Sequence, residues 1–244
     1  MRQRDVPHEH LALFDLDLTL IPFDSGMAWT QFLIERGILP PDAEAKYLAY
    51  CELYIAGTLD IHAMHRSNMQ PLLGYSREVL AQWQAEFEAR MASRIPPASL
   101  ALVQRHRARG DLCAIVTATT ALIAQPMARL FGIADLVCTR TATKGGVADA
   151  PYTGEIDGEP CYRHHKVSRV GEWLQASARS VAGFGESWFY SDSIGDLPLL
   201  EAVTHPVAVC PDERLRAHAL AAGWPVLELD RGALAWVNPQ RSGT

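Results

Sequence analysis

Four acids, one lysine and two threonines are spaced along this chain in a way that could do chemistry. The run "LALFDLDLTL" at 11–20 carries an apolar segment into Asp15 and Asp17, and "AIVTATT" at 114–120 ends in Thr117 and Thr119. Lys166 opens the segment "HHKVSRVGEWL", and "FYSDSIGDLPLL" at 189–200 holds Asp192 and Asp196. Two carboxylates at i and i+2 fall on one face of a strand. They repel each other and are best tolerated where a metal cation sits between them. A hydroxyl beside the free N–H groups of a helix N-terminus is an anion site. Lysine is scarce here, with only Lys46, Lys144 and Lys166 among twenty-two basic residues. One placed at a helix start supplies a compact positive charge. Together the pieces suit a phosphate held by hydroxyl, amides and lysine, with Mg²⁺ on the acids and one carboxylate facing phosphorus as a nucleophile.

The elements that must position these residues can be read from hydrophobic patterning. Short apolar runs at 10–16, 111–118, 134–140, 187–192, 205–210 and 224–229 alternate with helical segments at 97–109, 120–131, 164–177, 195–203 and 212–222. Near-continuous apolar strands of this kind belong to a parallel sheet covered on both faces. The alternation predicts a Rossmann-like, doubly wound α/β fold, whose ligands bind outside the carboxyl ends of the strands. Each reactive residue stands at such an end. Residues 22–95 break the alternation. They read as amphipathic helices: Trp29, Phe32 and Leu33 share a face after an N-cap at Ser25, and Tyr47, Leu48, Cys51, Tyr54 and Ile55 follow at helical spacing up to Gly57. Val79, Leu80, Trp83, Phe87 and Met91 do the same before Pro96 and Pro97. A connection this long is an inserted helical subdomain rather than a loop. The expected division is a core of 1–21 and 96–244 with a helical cap at 22–95. The Gly- and Pro-rich stretch 143–166 is expected to form a small hairpin around "YTGEI".

Composition narrows the partners. The chain has 244 residues, 48% hydrophobic and 20% charged, with a formal net charge of −6. An acidic balance argues against a nucleic-acid surface. The basic cluster "RHRARG" at 105–110 reads as a solvated helix end. No apolar stretch approaches the roughly 20 residues of a membrane span. Five scattered cysteines without a C-x-x-C pair read as reduced thiols, so the expected compartment is the cytoplasm. Nothing in the composition speaks to oligomeric state.

"FDLDLT", "IVTAT", Lys166 and "SDSIGDLPLL" resemble, in order and spacing, the four motifs of the haloacid dehalogenase superfamily, nearest to its phosphoserine phosphatase-like branch with a helical cap. The resemblance implies a Mg²⁺-dependent phosphomonoesterase. Asp15 would be nucleophile and metal ligand. Asp17 would be the proton donor and later the base, its main-chain carbonyl also reaching the metal. Thr117, the Ala118 N–H and Lys166 would bind phosphate, with Asp192 on the metal and Asp196 on it through water or behind it. Asp24 stands where relatives carry an acid for a substrate amine, though it could equally lead into the following helix. Arg66 is the candidate for a substrate carboxylate, or an exposed helix arginine. Gly195 departs from the pattern, since many relatives have Asn there. The implied substrate is a small, amine-bearing phosphate ester such as phosphoserine or histidinol phosphate. A phosphotransferase or mutase would share the same motifs, and a non-catalytic phosphate-binding protein is the alternative of a different class. A dehalogenase has no need of Asp17.

Overall fold

The computed structural model describes residues 9–229 and a strand at Leu234–Val237. A seven-stranded sheet is formed by β1 (His10–Phe14), β2 (Leu112–Thr120), β3 (Asp135–Thr139), β6 (Glu186–Ser191), β7 (His205–Val209), β8 (Val226–Leu229) and β9 (Leu234–Val237). The order is β3-β2-β1-β6-β7-β8-β9, parallel throughout except for the antiparallel β8–β9 pair. Side-chain alternation along β1 decides how it is covered. Leu11 and Leu13 join an apolar cluster on one face, Ala12 and Phe14 the cluster on the other, and all four are fully buried. Strand order reverses between β1 and β6, so the loops leaving these two strands diverge and open a crevice at their carboxyl ends.

Helices α7 (His165–Gln175), α8 (Leu197–Leu200) and α9 (Glu213–Ala222) cover the face that takes Leu11 and Leu13. The other face takes α5 (Pro97–Arg109) and α6 (Ala121–Phe131), and on these lie helices from the insertion between β1 and β2. That insertion holds α1 (Ser25–Glu35), α2 (Ala43–Ala56), α3 (Ile61–Met69) and α4 (Arg77–Met91). Trp29, Phe32, Trp83, Phe87 and Met91 belong to the same apolar cluster as Leu122, Met127 and Phe131 of α6. The apolar interior therefore runs unbroken from the sheet into α1 and α4. A second, two-stranded sheet pairs β4 (Thr141–Thr143) with β5 (Tyr152–Ile156), the hairpin expected around "YTGEI". No helix among the described residues is long and apolar enough to cross a membrane.

Several local expectations change. The N-cap of α1 is Asp24, which accepts from the Met27 N–H at 2.7 Å, and not Ser25. Helix α3, in which Arg66 was read as a helix residue, buries Ile61, His65 and Met69 along one face; Asp60 caps it through the Ala63 N–H. The segment 195–203 is helical only as far as Leu200, as a 3-10 turn at Ile194–Asp196 followed by one α-helical turn at Leu197–Leu200. The face expected to bury α2 buries nothing completely: Leu48 is 51% and Ile55 79% exposed. The basic helix end at 105–110 is only partly solvated, since His106 is buried between Asp111 and Tyr190, its Nδ1 2.7 Å from Asp111 and its Nε2 2.8 Å from the Tyr190 hydroxyl.

Phe87 is fully buried and meets Trp29 edge-on with ring centroids 5.1 Å apart. Phe87→Ala should cost about 3–5 kcal/mol of unfolding free energy, read as a lower midpoint in chemical denaturation. A loss below about 1 kcal/mol would mean that α4 is not part of the common core.

Candidate active site

The site begins where β1 ends. The Asp15 N–H donates to the Tyr190 carbonyl at 2.9 Å, which holds Asp15 in line with β6. The chain then turns sharply. The N–H groups of Leu20 and Ile21 both reach the Leu16 carbonyl, and Leu18 takes a left-handed conformation (φ 59°), a region that non-glycine residues seldom enter. Asp15 thus extends the pairing of β1 with β6, and Asp17 lies on the turn. Both line one cavity, but their side chains take different partners.

Asp15 faces inward. Its Oδ1 accepts from Lys166 Nζ at 2.9 Å, and the same ammonium donates to Asp196 Oδ2 at 2.6 Å. Asp196 Oδ2 also accepts from Ser191 Oγ at 2.7 Å. Lys166, in the first turn of α7, is 2% exposed. Burial opposes its charge, but Asp15 and Asp196 outweigh that effect and hold it protonated well above the ordinary lysine range. Lys144, the competing lysine, is exposed beyond β4.

Asp17 faces the other way. Its Oδ1 accepts from the Ser25 N–H at 2.6 Å and its Oδ2 from Thr119 Oγ1 at 2.7 Å. Burial, followed by the negative charge of Asp24, pushes its carboxyl up to about 7. Such a group can both give and take a proton near neutral pH. Thr117 is buried at the end of β2, where its Oγ1 accepts from the Thr119 N–H at 3.2 Å; Thr117, Ala118 and Thr119 all line the cavity. Asp192 follows β6 and accepts from Thr19 Oγ1 at 3.0 Å. Burial and then the charge of Asp15 push Asp192 up to about 8, while burial, opposed by Lys166, pushes Asp15 to about 6. Among the described residues no three His, Cys, Asp or Glu side chains gather as a metal-holding group. Asp17 takes the Ser25 N–H and the Thr119 hydroxyl, and Asp196 takes Lys166 and Ser191, while Asp15 and Asp192 both line the cavity and the charge of Asp15 raises Asp192.

These residues floor a cavity of about 1100 Å³ walled by α1, α2 and α3, with Trp29, Tyr47, Tyr50, Tyr54, Met64 and Leu122 among its lining residues. Asp24 lines it as well, and Tyr47 Oη donates to its Oδ1 at 2.7 Å. Arg66 does not. Its Nη1 pairs with Glu155 of β5 at 3.2 Å on the surface. His164 lines the cavity, while His165 pairs with Glu159 at 2.7 Å. Sequence reading missed Arg163, which lines the cavity three residues before Lys166 without any local signal. It also missed Thr119 as a partner of Asp17, and Tyr47, which it took for a helix-packing residue.

Residues 12–201 match the family described as haloacid dehalogenase-like hydrolase. The chain is 39% identical over 221 residues to the histidinol-phosphatase of Neisseria meningitidis serogroup C, covering 90% of this chain and 98% of that protein. A solved structure of a protein of unknown function from Bordetella pertussis Tohama I superposes with a TM-score of 0.81 at 40% identity, over 90% of this chain and 98% of that one. A substrate-bound phosphoserine phosphatase shares the fold at a TM-score of 0.57 and 16% identity, over 87% and 91% of the two chains. The chain belongs to the haloacid dehalogenase-like hydrolases and is a phosphatase of that family.

Proposed function

We propose that the protein hydrolyses a small amine-bearing phosphate monoester, with histidinol phosphate the best-fitting candidate, through a phosphorylated Asp15 and with Mg²⁺ bound. The observation that carries the chemical reading is that Asp15 and Asp17 have different partners, Lys166 for the first and Ser25 and Thr119 for the second. Asp15 lies against the Lys166 ammonium, where it can attack phosphorus while the cation screens the approach of anion to anion. Asp17, raised to about 7, gives its proton to the leaving alkoxide. It then takes a proton from the water that attacks the phosphorylated Asp15. Thr117 and the Ala118 N–H, at the end of β2, bind the phosphoryl oxygens together with Lys166. Asp196 acts through Lys166 and fixes its ammonium.

The donor set fits a hard divalent cation. Asp15 and Asp192 are two carboxylates raised by burial and by neighbouring carboxylates, Asp15 by Asp196 and Asp192 by Asp15, a conflict that a cation beside them removes. They would hold Mg²⁺ with the Asp17 main-chain carbonyl, and the bound ion supplies positive charge for the transferring phosphoryl group. Residues 22–95 serve as the cap over this chemistry and exclude water from it.

The cavity supports the choice of substrate. Its wall is aromatic and apolar, Asp24 offers an acceptor for an ammonium, and Arg66 lies elsewhere. Of the other cations in the wall, Lys46 pairs with Asp42 at 2.8 Å, Arg163 donates to the Tyr54 carbonyl at 3.2 Å, and Arg214 stands in the first turn of α9. An amine with an apolar ring suits these surroundings better than an amino acid bearing a carboxylate. The 39% identical histidinol-phosphatase favours the same substrate.

Asp15→Asn should lower kcat for histidinol phosphate by at least about 10³-fold. Retained phosphate release would remove Asp15 from the reaction. Asp24→Asn keeps an N-cap of equal quality, so its melting temperature should hold while KM for histidinol phosphate rises about tenfold, the cost of one charged hydrogen bond. An unchanged KM would end the amine-acceptor role. Metal linkage has a definite sign. With Asp15, Asp17 and Asp192 raised from 3.8 to about 6, 7 and 8, their stabilising contribution in metal-free protein is complete below pH 3.8 and disappears as pH rises toward about 8. Added MgCl₂ should therefore raise the melting temperature more at about pH 8 than at about pH 5, where protons compete for the ligands. Equal shifts at both pH values would exclude Asp15 and Asp192 as the ligands.

A further inference from the structure

Helix α2 is attached differently from the rest of the insertion. Helix α4 is locked to α6 by the common core, by Arg129 on Glu88 at 2.6 Å and by Gln84 on the Leu122 carbonyl at 2.7 Å. Helix α3, the turn after it and the first residue of α4 are held by the hairpin. Arg66 pairs with Glu155, the Arg77 guanidinium lies 3.8 Å from the centre of the Tyr152 ring, and Leu73 packs against Gly154. Helix α2 has no fully buried residue, follows Pro40 and Pro41, and ends at Gly57 in a left-handed conformation (φ 79°). Yet Tyr47, Tyr50, Cys51 and Tyr54 of this helix form one wall of the cavity.

Besides the exposed bond from Gln31 Nε2 of α1 to Glu44 Oε1 at 3.0 Å, two cavity-lining side chains tie α2 to the remainder of the site. Near its start, the Tyr47 hydroxyl donates to Asp24 Oδ1, the oxygen that also takes the Met27 N–H. Both bonds land on one oxygen, and Oδ2 takes none among the described residues. Gly26 makes this approach possible, because a Cβ there would stand 2.1 Å from the Tyr47 oxygen. Burial and the neighbouring Asp24 and Asp17 charges hold the Tyr47 phenol well above its ordinary range, so it remains a donor. At the far end, Arg163 reaches from the core to the C-terminus of α2, where carbonyls lack helical partners and the helix dipole favours a cation. Its Nη2 donates to the Tyr54 carbonyl at 3.2 Å, and a Cβ on Gly57 would come within 2.9 Å of that nitrogen. The Tyr54 ring also rests on Tyr162, centroids 5.1 Å apart. Arg163 itself is left-handed (φ 51°), a strained conformation for a residue with a side chain.

We propose that α2 is the specificity element of the site, held across the cavity by two latches, and that Tyr47 and Arg163 are positioning residues for the substrate amine. Tyr47 fixes the Asp24 carboxylate so that Oδ2 meets the ammonium, and Arg163 keeps the aromatic wall of α2 against the rest of the substrate. The specificity role rests on the reading of Asp24 given above; the latching does not.

The test uses Tyr47→Phe and Arg163→Met, with Leu53→Ala on the exposed side of α2 as a control. Amide hydrogen exchange of the ligand-free enzyme should be about tenfold faster across 43–56 in both latch variants and unaltered across α4, as expected for loss of one hydrogen bond. KM for histidinol phosphate should rise about tenfold while kcat stays within about twofold, and Leu53→Ala should show neither effect. Wild-type exchange across α2 in either latch variant overturns that latch. Faster exchange with unchanged KM overturns the specificity role. If the wild-type enzyme hydrolyses p-nitrophenyl phosphate but not histidinol phosphate, the substrate reading fails, and the exchange data still decide the latches.

Discussion

One buried cation organises this molecule. The Lys166 ammonium lies between Asp15 and Asp196, and Ser191 supplies a further hydrogen bond to Asp196. A lone ammonium at that depth would be driven to lose its proton, and either acid alone would be driven to take one up. Together they satisfy each other, provided that three segments far apart in sequence arrive at one point. The sheet makes this possible. β1 and β6 are neighbours, so Asp15 and Ser191 leave adjacent strands, and α7 packs on the sheet so that its first turn stands at their ends. The arrangement still leaves a surplus of acid. Asp15 and Asp192 remain raised, which is the electrostatic opening for a divalent cation and a phosphate.

The same crowding explains why Asp15 and Asp17 differ. A left-handed residue at Leu18 turns the chain so that Asp17 meets the N-terminus of α1 and Thr119, away from the lysine. Asp15 is stabilised by a full positive charge, Asp17 only by hydrogen bonds and in the presence of Asp24. Two identical side chains two residues apart thus acquire the distinct characters that a nucleophile and a proton shuttle require. Asp24 is shared between structure and proposed recognition, since it caps α1 while it lines the cavity. A residue with both duties constrains how α1 and α2 can sit, and the close passage of Tyr47 over Gly26 reflects that constraint.

Much of this was legible in the chain. Apolar runs of strand length alternating with helices determined the doubly wound sheet, because a strand buried on both faces cannot tolerate polar alternation. Asp15, Thr117, Lys166 and Asp192 were legible because each follows such a run or opens the helix after it, and strand ends in this fold converge. Other features depended on contacts between segments distant in sequence. Patterning gave Tyr47, Cys51 and Tyr54 a packing face, but whether that face meets a core or a cavity depends on what stands opposite, and here it is the cavity. Arg66 and Arg163 are both arginines near polar residues; only the hairpin carrying Glu155 and the approach of the α2 C-terminus separate their surroundings. Asp15 and Asp17 were matched in the sequence; the turn through Leu18, which no propensity announces, brings the start of α1 to Asp17 and not to Asp15. The sequence by itself determined the fold class and the chemical inventory, because both rest on local periodicity and residue type. Which side chains meet, and what burial does to their protons, was decided by tertiary structure, because desolvation and pairing exist only once the chain has closed around them.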